Sequence, residues 1–336
     1  MVTSRDVAKV AGVSQATVSR VLAGSSAVTG STKGRVLAAI QATGYVPDVR
    51  ARAMKTSRSG NVGVVVADLK NPYYPEILEE LDRSLSRHGL RMSVWVSHHR
   101  TEGPDSESAA LRAIRSRSVD GVIFTSITPE LAELREALDL GSPVVLLNRK
   151  AHGLHVDAVV SDNLRGGELL THLLLDHGRD HPAFIGGAPT ASTSSDRLEG
   201  YSAALRARGR PVLESRIVLG TYSYNFGFTA MERLLQVDPL VDGVVCSNDI
   251  LAFGALDAAR SMGHAVPEAL WVVGFDDVQM SDWRAFDLTT VAIDMEQLAE
   301  DATRLLLQRL DHPGRAPETV TLSPELVVRG SAPFLI

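Results

Sequence analysis

Two groups of residues have the types and spacing to do chemistry. Near the N-terminus, Gln15, Ala16, Ser19 and Arg20 fall at the start and along one side of a short helical stretch that opens after Ser14. The Gln amide can bridge the edge of adenine and the Arg guanidinium that of guanine, each good pair giving about 1–3 kcal/mol of discrimination. Ser14 and Thr17, with Thr3 upstream, suit phosphate oxygens. The second group is dispersed: Asp68, Ser97, Asn148, Asp162, Asn248 and Asp276 each close a short apolar run. In open α/β sheets, ligands bind outside the carboxyl ends of the strands, where such residues would lie.

The elements that position the first group read as three short helices. Thr3 or Ser4 caps a run through Val7, Ala8, Val10 and Ala11, and Gly12 breaks it. Ser14 caps Gln15 to Leu22. A third helix spans Ser31 to Thr43, with Val36, Leu37 and Ile40 on one face, and Gly44 closes it. Small Ala8 and Ala11 permit close crossing. Ala8, Val10, Val13, Val18, Val21 and Leu22 are expected to form a small core with the third helix, leaving the second to meet base edges as a helix-turn-helix does. Pro47 then imposes an extended entry. Asp48 can cap a short run to Lys55, and the polar stretch 56–60 reads as a linker.

From residue 61 onward, apolar runs at 62–68, 90–96, 120–126, 143–148, 157–162, 183–187, 241–247 and 270–276 alternate with helical stretches. Continuous Val/Ile/Leu strands separated by helices mean parallel sheets covered on both faces. So many strands fit two doubly wound lobes better than one sheet.

Composition narrows the function. The net charge is −6, yet residues 1–60 carry nine Lys/Arg against two acids, a basic head on an acidic body that suggests phosphate contact by the head alone. The N-terminus has no apolar leader segment and no apolar run approaches the roughly 20 residues of a membrane span, so a cytoplasmic protein without membrane contact is expected. The single Cys246 rules out an internal disulfide framework and reads as a buried thiol. Neither G-x-G-x-x-G after a strand, nor a P-loop, nor G-x-S-x-G, nor H-E-x-x-H occurs, and His98-His99 lacks companion metal ligands. No catalysis, cofactor or metal is expected.

The motifs themselves carry a resemblance. Residues 3–22 follow the pattern T-[ILS]-x-D-V-A-x-x-A-G-V-S-x-x-T-V-S-R-V-L nearly throughout. Further matches are R-V-L-A-A-I at 35–40, G-Y-x-P at 44–47, N-P-Y-Y at 71–74, V-D-G at 119–121, S-N-D at 247–249, G-F-D-D at 274–277, L-T-T at 288–290 and P-E-L-V-V-R-G-S at 324–331. In these the whole chain resembles the lactose-repressor family of bacterial transcription regulators.

The resemblance implies an α/β protein: a three-helix helix-turn-helix domain (1–46), a hinge helix and linker (47–60), and a periplasmic-binding-protein-like core of two Rossmann-like lobes (61–336). Lobe 1 would take 61–160 plus 293–322 and lobe 2 would take 163–290 plus 326–336. It implies a homodimer on pseudo-palindromic double-stranded operator DNA, and the chain ends without the heptad helix of family tetramers. The hinge helices would enter the minor groove with Met54 in place of the usual wedging leucine, while Arg50, Arg52 and Lys55 meet the backbone or groove floor. Ordering seven hinge residues costs on the order of 10 kcal/mol per subunit, so a modest effector bias can tip the balance. By motif position, Tyr73, Tyr74, Asp162, Arg197, Tyr222, Asn248 and Asp276 would line a pocket for a small-molecule effector, a sugar by the mix of Arg fork, polar groups and aromatics; the role of Arg149 stays open. The alternatives are a solute-binding protein of an importer, which would need a leader and leaves the head unexplained, a nucleobase-responsive regulator of the same family, and an enzyme with an accessory DNA-binding head.

Overall fold

A computed structural model of the protein describes residues 2–22, 25, 27–45, 58–97, 106–126, 132–151 and 153–334. It divides into two compact units, Met1–Ser59 and Gly60–Ile336. The expected hinge run, with Arg50, Arg52, Met54 and Lys55, lies outside the described residues, as do His98 and His99.

Among its described residues the first unit has three helices, α1 (Ser4–Ala11), α2 (Gln15–Leu22) and α3 (Gly30–Thr43). The Thr3 backbone N–H and hydroxyl both donate to the Asp6 carboxylate at 2.8 Å, a capping box with Asp in the Glu position. Gly12, at φ 62°, ends α1 in the left-handed region, and the Ser14 hydroxyl accepts the Thr17 N–H at 3.1 Å to start α2. Val7, Ala8, Ala11, Val18, Val21, Val36 and Ala39 make the core. Two expectations are corrected here. Val10 is 60% exposed and Leu37 49%, because the helical period swings each off the stripe its neighbours bury.

The second unit contains two six-stranded sheets. One is built from β1 (Asn61–Val66), β2 (Arg91–Val96), β3 (Gly121–Phe124), β4 (Val144–Leu147) and β5 (Asp157–Ser161), with α4 (Tyr73–Arg87), α5 (Ser106–Arg115) and α6 (Ala132–Asp139) between strands. The chain then enters the other sheet through α7 (Asn163–Asp176), β6 (Pro182–Gly186), α8 (Ser192–Ala207), β7 (Ile217–Leu219), α9 (Tyr224–Val237), β8 (Gly243–Cys246), α10 (Asp249–Ser261), β9 (Trp271–Asp276) and β10 (Thr289–Ala292). It returns through α11 (Met295–Asp311) to β11 (Thr319–Leu322), parallel to β5, and crosses again to β12 (Glu325–Val327), antiparallel to β10. The orders are β11-β5-β4-β3-β1-β2 and β12-β10-β9-β8-β6-β7. The central strands β1, β3, β4, β8 and β9 are almost wholly buried, as apolar strands covered on both faces must be.

Strands β7, β10, β11 and β12 escape the apolar-run criterion. Three of them lie at sheet edges, and β11 (T-V-T-L) alternates exposed and half-buried residues. It is pinned by buried Asp157, whose carboxylate accepts Arg309 Nε at 2.9 Å and the Glu318 N–H at 2.9 Å and pairs with Arg315 at 2.7 Å. Central β10 buries Thr289 and Thr290 by giving each hydroxyl an acceptor, the Arg329 carbonyl at 2.8 Å and the Asp249 carboxylate at 2.6 Å.

Helices in the second lobe pack in pairs through reciprocal glycines. A Cβ on Gly167 would lie 2.3 Å from the Arg197 carbonyl and one on Gly200 2.1 Å from that of Leu164, which joins α7 to α8. Gly227 and Gly254 repeat the device against the Leu251 and Tyr224 carbonyls, at 2.2 and 2.1 Å, joining α9 to α10. Each glycine faces the carbonyl three residues before its partner glycine. Gly200→Ala must therefore push α8 off α7; we expect a loss of about 1–3 kcal/mol by urea unfolding, and an unchanged midpoint would show that the pair tolerates separation.

Candidate functional site

On the head, Gln15, Ala16 and Arg20 are exposed along α2, Thr3 is exposed beside the α1 N-terminus, and Thr17 and Ser19 are half-buried. Two of these groups are already engaged. The Ser14 hydroxyl is spent on the α2 cap and lies 2.9 Å from that of Thr17. The Gln15 amide donates to the Ser4 hydroxyl at 2.9 Å and accepts Arg5 Nε at 3.5 Å, which ties it back to α1.

The core site centres on Arg197, carried by α8 and only 2% exposed. Its guanidinium carbon stands over the Phe275 ring, 3.5 Å from the centroid. Nε donates to Asn163 Oδ1 at 2.7 Å, Nη1 donates to the Ser247 carbonyl and to Asp276 Oδ1, the latter at 3.3 Å, and buried Nη2 has no partner among the described residues. The aromatic face and fork geometry suit Arg and not Lys. Gly166 makes room: a Cβ there would sit 2.3 Å from the Phe275 ring.

Asp276 ends β9 with φ 116°, and Asp277 follows at 54°, a backbone that costs a non-glycine residue about 1–3 kcal/mol unless its surroundings impose it. They do so here. Asp277 pairs with Arg329 at 2.7 Å. Behind the turn, the buried Asp249 carboxylate accepts the Val278 N–H at 3.0 Å and the Ser281 and Thr290 hydroxyls at 2.8 and 2.6 Å. Burial pushes the Asp249 carboxyl up to about 8, and the Asp276 charge adds to it. Burial also pushes Asp276 up, against the opposing pull of Arg197.

The first lobe meets this surface with the start of α4 and the end of β4. Tyr73 and Tyr74 are buried, edge to face at 5.4 Å. Among the described residues the Tyr73 hydroxyl has no partner, and it lies in the field of Asp276, Arg197 and Arg149; burial pushes both phenols up. Arg149 donates to the Thr193 hydroxyl at 2.9 Å, and that hydroxyl lies 3.2 Å from the Tyr222 hydroxyl. Tyr222 covers Gly187, where a Cβ would fall 2.2 Å from its ring. Other polar contacts also span the cleft: the Gln279 N–H donates to Glu76 at 2.9 Å, the Lys150 N–H to Ser192 at 3.0 Å, and Lys150 Nζ reaches Asp196 at 3.1 Å. A separate hollow of about 400 Å³ lies among the crossing segments, lined by Asp294, Gln297 and Glu325 among others.

Of the expected effector residues, Tyr73, Tyr74, Arg197, Tyr222 and Asp276 thus converge. Asp162 and Asn248 are helix N-caps, accepting the Arg165 and Leu251 N–H groups at 3.1 and 3.2 Å. Unanticipated are Asn163, Thr193, Ser247 and Phe275. Asn163 adjoins an anticipated residue and Phe275 lies inside the G-F-D-D motif, whereas Thr193 follows no apolar run and gives no such sign.

Residues 59–326 match the model of periplasmic binding proteins and the sugar-binding domain of the LacI family, and residues 3–48 match that of bacterial regulatory proteins of the lacI family. The chain belongs to the LacI family. This LacI-family member is a DNA-binding transcription regulator. It is 32% identical over 333 residues to the HTH-type transcriptional repressor PurR of Mannheimia succiniciproducens and 30% identical over 336 residues to that of Pasteurella multocida, with 98% of each chain covered. Among solved structures it is similar to a transcriptional regulator CelR–cellobiose complex, at 29% identity and TM-score 0.75 over 98% of this chain and 100% of that one. It shares the fold of the lac repressor dimer bound to operator and the anti-inducer ONPF, at 24% identity and TM-score 0.85 over 99% of both chains. No helix among the described residues is long and apolar enough to cross a membrane.

Two outcomes follow from this geometry. Arg20→Ala is expected to weaken operator binding and relax one base position; unchanged selectivity on a randomised operator pool would remove Arg20 from base readout. Because the folded Asp249 carboxyl holds its proton to higher pH than the unfolded one, the folded state binds more protons between the ordinary Asp range and about pH 8. Stability from this group therefore falls as pH rises through that window. In Asp249→Asn the dependence of unfolding temperature on pH should be shallower than in wild type; an identical slope would show Asp249 ionised throughout.

Proposed function

We propose that this LacI-family protein is a repressor that binds a pseudo-palindromic operator as a homodimer and is controlled by a sugar held between its core lobes. The observation that carries the reading is the convergence, from both lobes, of the Arg197–Asp276 pair and three tyrosines, Tyr73, Tyr74 and Tyr222. Forked donors, a carboxylate and flanking rings are what a polyhydroxylated ring requires: hydroxyls take the hydrogen bonds and the C–H face packs on the aromatics. Supporting it further, a similar solved regulator is a cellobiose complex.

Each head places Gln15, Ala16 and Arg20 in a major groove. The run 47–60 acts as the hinge, with Met54 as wedge and Arg50, Arg52 and Lys55 against the duplex; Thr17 and Ser19 serve phosphates, and Thr3 and Ser14 do so on release from Asp6 and from the α2 cap. A ligand that binds one lobe arrangement better than another shifts the hinge pair by its differential affinity and no more. A second reading, a nucleobase effector, is favoured by the 30–32% identity to repressors named PurR.

The test is operator selection from a random pool by the full-length protein, followed by titration with sugars and with hypoxanthine or guanine. A salt-dependent, sequence-specific complex whose affinity shifts with a sugar supports the first reading, and Asp276→Ala should keep the complex and lose the shift. A shift with nucleobases alone supports the second. Failure to select any sequence overturns both.

A further inference from the structure

Arg149 is the residue of the cleft that a neutral sugar leaves unexplained. It follows buried Asn148, whose own side-chain oxygen has no partner. Among the described residues its side chain meets only neutral groups: it donates to the Thr193 hydroxyl at 2.9 Å, faces the Tyr74 hydroxyl, and stands 6.0 Å from the Tyr222 ring centre. The carboxylate whose field it shares, Asp276, is held by Arg197 at 3.3 Å. Neighbouring Asp196 is taken by Lys150 at 3.1 Å, and Glu76 accepts the Gln279 N–H. The guanidinium is part-buried and, among the described residues, its hydrogen-bond partner is a neutral hydroxyl, so a ligand anion would supply a counter-charge.

Two further features share its surroundings. Thr193 belongs to the first turn of α8, a sixteen-residue helix whose first turn has no acidic residue and whose N-cap, Ala191, offers no side-chain cap. Helix N-termini favour negative charge. The Tyr73 hydroxyl, on a residue only 3% exposed, has no partner among the described residues and lies in the field of Asp276 as well as of Arg197 and Arg149.

From these three observations we infer that the effector carries an oxyanion, a carboxylate or phosphate group on a sugar-sized molecule, and that Arg149 holds it with the Thr193 end of α8 and the Tyr73 hydroxyl. The inference rests on the cleft being the effector site. Arg149 is then a specificity-determining residue, with Arg197 and Asp276 left to the neutral hydroxyls. A planar guanidinium fork suits either anion.

The test uses full-length wild type and Arg149→Gln, which keeps a donor for Thr193 and drops the charge. Binding is measured by calorimetry for glucose, galactose and mannose, each as the neutral hexose, the uronate and the 6-phosphate. At least one anionic member should bind wild type at least about tenfold more tightly than its neutral parent, and the preference should vanish in the variant, as expected for one charge-assisted contact. Which arm responds separates carboxylate from phosphate. Without ligand, the variant should unfold close to the wild-type temperature, since a part-buried guanidinium is replaced by a neutral donor for the same Thr193 contact. The inference is overturned if neutral hexoses bind as tightly as their anions, if the preference survives in the variant, or if the ligand-free variant unfolds several degrees lower, the mark of a purely structural tie between lobes. Should no sugar of any charge bind wild type, the sugar reading of the cleft fails first and this inference with it.

Discussion

The constraint on which the second lobe depends is the burial of one positive charge. An Arg at 2% exposure is tolerable only if its fork is met on nearly every side. Four segments are shaped to that end: the start of α7 brings Asn163, the end of β8 brings the Ser247 carbonyl, the end of β9 brings Phe275 and Asp276, and α8 brings Arg197 itself. The glycines at 166, 167 and 200 allow these segments to approach closely enough. Opening any one would strand a charge or a carbonyl in a low-dielectric interior, where an unmet polar group costs more than a met one gains. The one nitrogen left unmet, Nη2, is therefore conspicuous.

The same logic extends outward from Asp276. Its backbone conformation is unfavourable for a side-chain-bearing residue, and it is held from behind by Asp249 and from the side by the Asp277–Arg329 pair. Arg329 and Ser331 belong to the last stretch of the described chain, and Ser331 donates to the Val272 carbonyl at 2.6 Å. The final segment thus braces the strand that presents the cleft carboxylate.

Much of this was legible in the residues and some was not. The two-lobed parallel architecture follows from apolar runs alternating with helices, because strands buried on both faces have no polar side to display. The edge strands were illegible for the complementary reason: β11 is half-solvated and its pairing depends on Asp157 meeting two arginines far along the chain. In the head, the turn chemistry of Gly12 and Ser14 was plain, while Val10 and Leu37 were misplaced because apolar type alone does not fix which side of a short helix is covered. For the cleft, Arg197 and Asp276 stood in motifs. Asn248 stood in one too and Asp162 closed an apolar run, yet their side-chain oxygens serve helix starts, and nothing in either signal distinguishes a cap from a ligand contact. Thr193 and the surroundings of Arg149 are products of tertiary approach between lobes and leave no local trace.

The tethering of Gln15 to Ser4 and Arg5 has a consequence for how the head scans a genome. On the proposed role of Gln15 in base readout, an amide that is already satisfied would gain little from an arbitrary base edge, and the head would pass over chance partial matches. Releasing the amide would be favourable only where a base edge returned both bonds at once, an exchange with a threshold. Selectivity gained this way would come from indifference to wrong sites as much as from attraction to the right one.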